Sequence, residues 1–392
     1  MDNQWVKRFQ EYFPGNNDSV RLFFAPGRVN LIGEHTDYNG GFVFPAALTI
    51  GTYMAIRQRN DGVYRLKSEN FPLEVSIDTK QPIVYNKADD WANYPKGILQ
   101  QLQKLGIQLS GADVLYTGNI PNGAGLSSSA SIGMASALGF SVLEKEELPM
   151  LELAKLCQRM ENQFIGVNSG IMDQFAVGFG KKDHAVFLDC QSHEFELIPL
   201  EIEGYKLIIT NTNKRRGLAD SKYNERRAQC EQGLEIIQRH IESVNALGDL
   251  RPLQFKKMEA HLADETIKKR VRHVVTEDDR VQKAVAALEN RDLLAFGLYM
   301  KESHVSLRDD YEVTGLELDA LFDIQGQQPG CIGTRMTGAG FGGCTISIVE
   351  DGQVEAFKQN VAANYKQQTG LSPDFYVCEI GDGVKEIKEV KR

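Results

Sequence analysis

At 392 residues the chain is long enough for two ordinary domains, and its 42% hydrophobic and 25% charged residues are those of a globular protein, not a disordered or fibrous one. A net charge of −9 excludes a broad nucleic-acid surface, yet leaves room for phosphates held by backbone amides and a metal. No run approaches the roughly 18 apolar residues of a membrane span, no secretory signal is legible at the start, and cysteines scattered without a C-x-x-C pair suit the reduced thiols of a cytoplasmic protein.

Residues 1–13 read as a short amphipathic helix, and residues 20–25 as a strand running into a Pro-Gly turn. Residues 42–57 and 63–77 are β-rich, with alternating and β-branched apolar positions. Helical spacing covers 89–105, where Trp91, Tyr94, Ile98, Leu102 and Leu105 recur. A strand over 112–119 leads through a Gly/Ser loop into helices over about 127–143 and 148–164. Strands over 184–190, 194–200 and 205–212 follow. From about 215 to 325 the chain is helical and charged; Lys214-Arg-Arg and Lys268-Lys-Arg read as solvated faces. It closes with a strand (330–337), a glycine turn (338–343), a strand (344–349), a helix (351–368) and a strand (373–379). Strands and helices without regular βαβ alternation make an α+β fold. The character changes near 215, and a boundary placed near 195–205, with no clear linker, divides the chain into domains 1–200 and 201–392.

Three segments carry chemistry. Residues 25–41 pack Arg28, Glu34, His35, Asp37 and Asn39 among glycines directly after a strand, a set that suits a ligand rich in hydroxyls. A solvated polar loop is the plainer alternative. Residues 121–130 join a strand to a helix: Gly123 and Gly125 permit close backbone approach, and Ser127, Ser128 and Ser129 open the helix, where free amides favour an anion. A loop ending in a serine N-cap is the alternative, and the G-K-[ST] ending of a Walker A loop is missing. Residues 334–344 form a glycine-rich turn between strands, suited to a bulged β-turn or to backbone lying against a shared ligand.

In this order and spacing the three segments resemble the three motifs of the superfamily of galactokinase, homoserine kinase, mevalonate kinase and phosphomevalonate kinase (GHMP). Residues 27–40, Gly-Arg-Val-Asn-Leu-Ile-Gly-Glu-His-Thr-Asp-Tyr-Asn-Gly, resemble the signature of its galactokinase family. The likeness extends over nearly the whole chain. It implies the two-domain GHMP kinase fold: an N-terminal mixed sheet with helices, a helix-rich α+β C-terminal domain, and an active site in the cleft between them. It also implies transfer of the γ-phosphoryl group of ATP, with Mg²⁺, to the C1 hydroxyl of galactose.

The resemblance further implies roles for single residues. Arg28 stands beside the transferring phosphoryl group and Asp173 is the catalytic aspartate. Glu34, His35, Thr36, Asp37, Gly170 and Tyr223 form the sugar pocket. Gly123, Ala124, Gly125, Leu126, Ser127, Ser128 and Ser129 wrap the ATP phosphates, with Ser68 and Trp91 as weaker candidates on the nucleotide side. Ser129 and Glu161 hold the metal. Plainer readings stand beside these: Glu161 as a solvated helix carboxylate, Asp173 as an N-cap, Tyr223 as a core residue in line with Cys230, Leu234 and Ile237, and Trp91 as a packed aromatic. An aspartate beside an arginine is a weak base, and a loose transition state, in which the hydroxyl loses its proton late, asks for no more. N-acetylgalactosamine phosphorylation, or a silent relative that binds sugar and ATP, are the alternatives for function. The partners expected are a sugar and ATP, with neither nucleic acid nor membrane, for a monomer.

Overall fold

The computed structural model describes residues 3–15, 19–121, 123–214 and 219–387. In chain order its first elements are α1 (Asn3–Tyr12), β1 (Arg21–Asn30), β2 (Phe42–Val43), β3 (Pro45–Gln58), β4 (Val63–Ser68), β5 (Val75–Asp78), α2 (Asn93–Lys104) and β6 (Ala112–Gly118). Then come α3 (Ser128–Leu143), α4 (Met150–Met160), α5 (Met172–Phe179), β7 (His184–Asp189), β8 (Phe195–Pro199) and β9 (Tyr205–Asn211). The remainder is α6 (Ala219–Gln238), α7 (Pro252–Met258), α8 (Glu265–Glu289), α9 (Leu293–Ser306), α10 (Leu316–Gly326), β10 (Cys331–Thr337), β11 (Cys344–Glu350), α11 (Val354–Thr369), β12 (Asp374–Cys378) and β13 (Lys385–Glu386).

A six-stranded mixed sheet runs in the order β13-β1-β3-β6-β4-β5, with only β4 and β6 parallel. One face buries Phe23, Met54, Ile56, Leu66 and Val114 against α2, α3 and α4, which contribute Ile98, Met134, Phe140 and Met160. Helix α1 covers the other face; Trp5, Phe9 and Phe13, spaced by one turn, meet Leu22, Ala55 and Leu115. A second, antiparallel sheet runs β10-β11-β9-β12, and a small third sheet runs β2-β7-β8. Between the first two sheets lies a further core in which Val29 of β1 and Leu31 just after it meet Leu207 and Ile209 of β9 and Val281 of α8. That core brings the first and third motifs together. No helix of the described residues is long and apolar enough to cross a membrane.

Four local readings change. Strand β1 does not stop at Pro26-Gly27 but continues to Asn30, because a register shift between Pro26 and Arg28 absorbs the proline. The helix expected over 89–105 is broken at Asp90 (φ 40°, ψ −117°) into a 3₁₀ turn and α2. The helix expected over 148–164 ends as a π turn over Glu161–Ile165, a feature often found at functional sites. The Lys268-Lys-Arg face is only partly solvated: Arg270 is buried, bonded to Gln229, to the carbonyl of Asp310 and to Glu312. Of Lys214-Arg-Arg, Lys214 pairs with Glu317, and residues 215 and 216 lie outside the described residues.

Candidate active site

Arg28 lies on β1 with its side chain only 5% exposed. Its Nε donates to Asp173 Oδ1 at 2.7 Å and its Nη1 to the carbonyl of Gly125 at 2.9 Å. The Ser127 hydroxyl donates to the other oxygen of Asp173. A strand, a glycine loop and helix α5, far apart in sequence, therefore meet at one carboxylate. Their closeness depends on Gly27: a Cβ there would stand 2.8 Å from the Leu126 carbonyl, which accepts the Arg28 amide at 3.2 Å.

The loop is anchored by alternate residues. Ala124 and Leu126 are buried in the core that holds Val29 and Leu31. Gly123 and Gly125 adopt left-handed φ of 73° and 75°, and Ser127 shares that region at 58°. Ser127 occupies the N-cap position of α3 in a left-handed conformation and makes no capping bond, its hydroxyl being turned to Asp173. The serine-cap alternative is thereby overturned. The first amides of α3 keep no side-chain cap, the condition under which a helix start receives an anion. Asp173 is no N-cap either: that position belongs to Ile171, and Asp173 lies in the first turn of α5 facing Arg28.

Glu161 opens the π turn after α4 and is 7% exposed, so it is not a solvated helix carboxylate. Ser169 donates to its Oε2 at 2.8 Å, and the Ser129 hydroxyl lies beside it. Burial, together with the nearby Asp173 carboxylate, pushes its pKa up. Among the described residues neither its Oε1 nor either amide atom of the fully buried Gln174 has a well-formed hydrogen bond, although Gln174 and Ser129 both lie beside the carboxylate. A buried carboxylate left this way asks for a cation.

In the 33–42 loop the outcomes differ. Asp37 accepts the amides of Tyr38 and Met172, and burial and then Asp173 raise its pKa to about 6. It fills the space where a Cβ of Gly170 would stand, 1.9 Å from Asp37 Oδ2. Tyr223 is half-buried against the rings of His35 and Tyr38, at 5.4 and 5.3 Å, and faces this loop. Its placement in the α6 core is overturned. Thr36 is fully buried, its hydroxyl turned to the carbonyls of Gly33 and Phe42 inside the loop. His35 is neutral, with burial and then His273 lowering its pKa to about 3; its Nε2–H donates to Ala339 O and its Nδ1 accepts from Tyr38. Glu34 accepts from the Gly338 amide at 2.8 Å, from Asn30 Nδ2 at 2.8 Å and from Arg335. The third motif thus reaches the first, and a Cβ on Gly338 would come within 3.2 Å of Gly125 O in the second.

Ser68 and Trp91 stand apart from this convergence. Both adjoin Tyr116: Ser68 is its partner across β4 and β6, and Trp91 meets its ring edge-on at 5.7 Å. Trp91 packs in the core of the first sheet, as the packed-aromatic alternative expects. A cleft of about 1380 Å³, lined by Tyr53, Lys206, Cys378 and Lys385 among others, contains none of the expected site residues. It mixes acids with bases, whereas all three motifs converge around Arg28.

Three family profiles match the chain: a galactokinase galactose-binding signature over residues 7–58, a GHMP kinase N-terminal domain over 93–181 and a GHMP kinase C-terminal domain over 284–367. A galactokinase of Halalkalibacterium halodurans is 58% identical over 94% of this chain and 93% of its own, and one of Fusobacterium nucleatum 50% identical over 98% and 99%. The chain belongs to the galactokinase family. A crystal structure of Lactococcus lactis galactokinase complexed with galactose is 43% identical and superposes with a TM-score of 0.95 over 98% of this chain and 99% of that one. The Methanococcus jannaschii mevalonate kinase, 20% identical with a TM-score of 0.66, shares the fold over 94% of this chain and all of its own.

Within this galactokinase family site, sequence reasoning missed the residues behind the 33–42 loop. Arg335 is fully buried, paired with Glu34 and bonded to the carbonyls of Asn30 and Leu31 at 3.3 Å. It lies inside the third motif, so an arginine preceding a glycine turn was the available signal. Tyr311 donates to Tyr38, which in turn donates to His35, and so holds the imidazole tautomer from outside every motif.

Proposed function

We propose that the chain transfers the terminal phosphoryl group of ATP to the C1 hydroxyl of galactose, giving galactose 1-phosphate and ADP. The observation that carries this reading is the convergence of Arg28, Asp173 and the uncapped start of α3, with Asp37, Gly170 and Tyr223 alongside. The amides of residues 123–129 hold the phosphates. Arg28 balances charge on the transferring group, since a guanidinium gives two directed bonds. Asp173 orients the C1 hydroxyl and takes its proton late; each carboxylate oxygen keeps a second lone pair beside the bonds from Arg28 and Ser127. Glu34, His35, Thr36 and Asp37 shape the rest of the sugar pocket, Thr36 through the loop it closes.

Glu161 and Ser129 fit Mg²⁺, which usually takes one or two protein ligands and completes its shell with phosphates and water; the buried Glu161 carboxylate, whose Oε1 has no well-formed hydrogen bond among the described residues, lies beside the Ser129 hydroxyl and supports this. When bound, Mg²⁺ neutralises charge on the β- and γ-phosphates. Titration of Mn²⁺ with ADP, followed by electron paramagnetic resonance, should show Glu161→Ala binding the metal roughly 10–100-fold more weakly. Unchanged metal affinity would remove Glu161 from this role.

Gly170→Ala forces a methyl group into the Asp37 carboxylate. Overpacking of about 1–3 kcal/mol should raise the galactose KM about tenfold, with the ATP KM nearly constant. Equal changes in both constants would detach Gly170 from the sugar.

The reading itself is tested by incubating the purified protein with MgATP and galactose, N-acetylgalactosamine, glucose, mevalonate or homoserine, recording ADP release and product mass. Galactose 1-phosphate should dominate. N-acetylgalactosamine 1-phosphate as chief product would change the substrate, and no product from any would end the enzyme reading. We place the domain division at 200/201, with β13 crossing back to the first sheet, and take the protein to act as a cytoplasmic monomer; five buried cysteines suit a reducing compartment.

A further inference from the structure

Helix α8 presents one buried face to the back of the 33–42 loop, and successive side chains on it engage the loop's backbone. His273 Nε2–H donates to the Glu34 carbonyl at 3.1 Å, and the Ser306 hydroxyl donates to Nδ1 at 2.9 Å, which holds that tautomer. Glu277 Oε1 accepts the Gly33 amide at 3.0 Å. Asp278 Oδ1 accepts the Phe42 amide at 2.7 Å. One turn further, Val281 packs so tightly on Gly33 that a Cβ there would stand 2.9 Å from it, and Gly33 has a left-handed φ of 95°. All three polar residues are fully buried. Glu277 is also bonded by Ser303 and Arg280, and Arg335 lies 3.8 Å away while pairing with Glu34.

These bonds fall at both ends of the segment that carries Glu34, His35 and Asp37. A polar loop rich in glycine has many conformations open to it. Here its first turn is held by His273 and Glu277 and its exit by Asp278, so Asp37 is held toward Arg28 and Tyr223 while Glu34 stays on Arg335. We propose that His273, Glu277 and Asp278 are positioning residues for the sugar, acting through the backbone of residues 33–42 and touching no substrate. The inference rests on the assignment of that loop to the sugar.

The test uses the full chain and measures galactose and MgADP affinity separately by calorimetry. His273→Leu removes the donor to Glu34 O, and Asp278→Ala removes the acceptor for the Phe42 amide. Each should weaken galactose binding about tenfold or more, the effect of a buried backbone group left unpaired, while MgADP affinity stays within about twofold. His273→Gln, which restores a donor of similar reach, should recover part of the loss; a merely structural role predicts no such sugar-specific rescue. Asp278 lies beside the exposed Arg251, so its variant decides the matter should the His273 variants fail to fold. Folded variants with wild-type galactose affinity, or with sugar and nucleotide affinities falling together, would overturn the proposal. Wild-type protein that neither binds nor phosphorylates galactose would overturn the sugar assignment and this inference with it.

Discussion

Asp173→Asn should fold normally, bind galactose within a few-fold of wild type, and lose roughly 10²–10⁴ in kcat. The amide oxygen can still accept from Arg28 Nε, and the Ser127 hydroxyl can turn to accept from the new amide, so the local geometry has a replacement for each bond. What the amide cannot do is take a proton or offset the arginine's charge. Asp173→Ala should lose at least as much activity and some stability, because it leaves a guanidinium that is 5% exposed without its carboxylate. Turnover by coupled ADP release and galactose affinity by calorimetry separate the two effects. Near wild-type turnover in either variant would remove Asp173 from proton transfer. A loss confined to galactose affinity would make it a binding group only.

Arg28→Ala should cost about 10³–10⁵ in kcat, the range seen when an arginine that stabilises a transferring phosphoryl group is removed. The ATP KM should change much less, because the amides of α3 remain to hold the phosphates. Arg28→Lys should be a poor substitute. The native side chain bonds in two directions, to Asp173 Oδ1 and to Gly125 O, and an ammonium cannot span both. The Ala variant also releases Gly125 O, the side-chain tie between β1 and the phosphate loop beside the backbone bond to Leu126 O, so a lower Tm should accompany the kinetic loss. If kcat is preserved and only KM rises, Arg28 acts on the ground state and not on the transition state.

Contiguous features were legible in the sequence. Glycines at 123 and 125 before a serine-opened helix mark an anion site because spacing and residue type alone carry the physics. The polar cluster after β1 was equally visible. Asp173, Glu161 and Tyr223 were not visible on chemical grounds: each is a single residue in an unremarkable helix, and only family likeness raised them above an N-cap, a solvated carboxylate and a core ring. The bonds of α8 were invisible for a further reason. His273, Glu277 and Asp278 sit in a strongly charged stretch, and which of its charges turns inward depends on a loop more than 230 positions earlier. Arg270 shows the same thing, since its burial is decided by Asp310 and Glu312 and not by its lysine neighbours. The strand through Pro26-Gly27 was hidden because a bulge relieves the proline only once β3 is paired. In general, residue type announced what chemistry was on offer, and tertiary partners decided where each side chain spent it.

Strand β13 pairs with β1 at the edge of the first sheet, Phe23 opposite Glu386 and Phe24 opposite Lys385, and Arg21 bonds Glu386 through both Nε and Nη2. On the ribosome, Arg21 of β1 emerges 365 residues before Glu386 of this neighbour. The nascent N-terminal half must wait through translation of the whole second half with one strand border bare, a template for pairing with other chains. Topology here ties closure of that border to the translation of β13, long after β1 itself has been made.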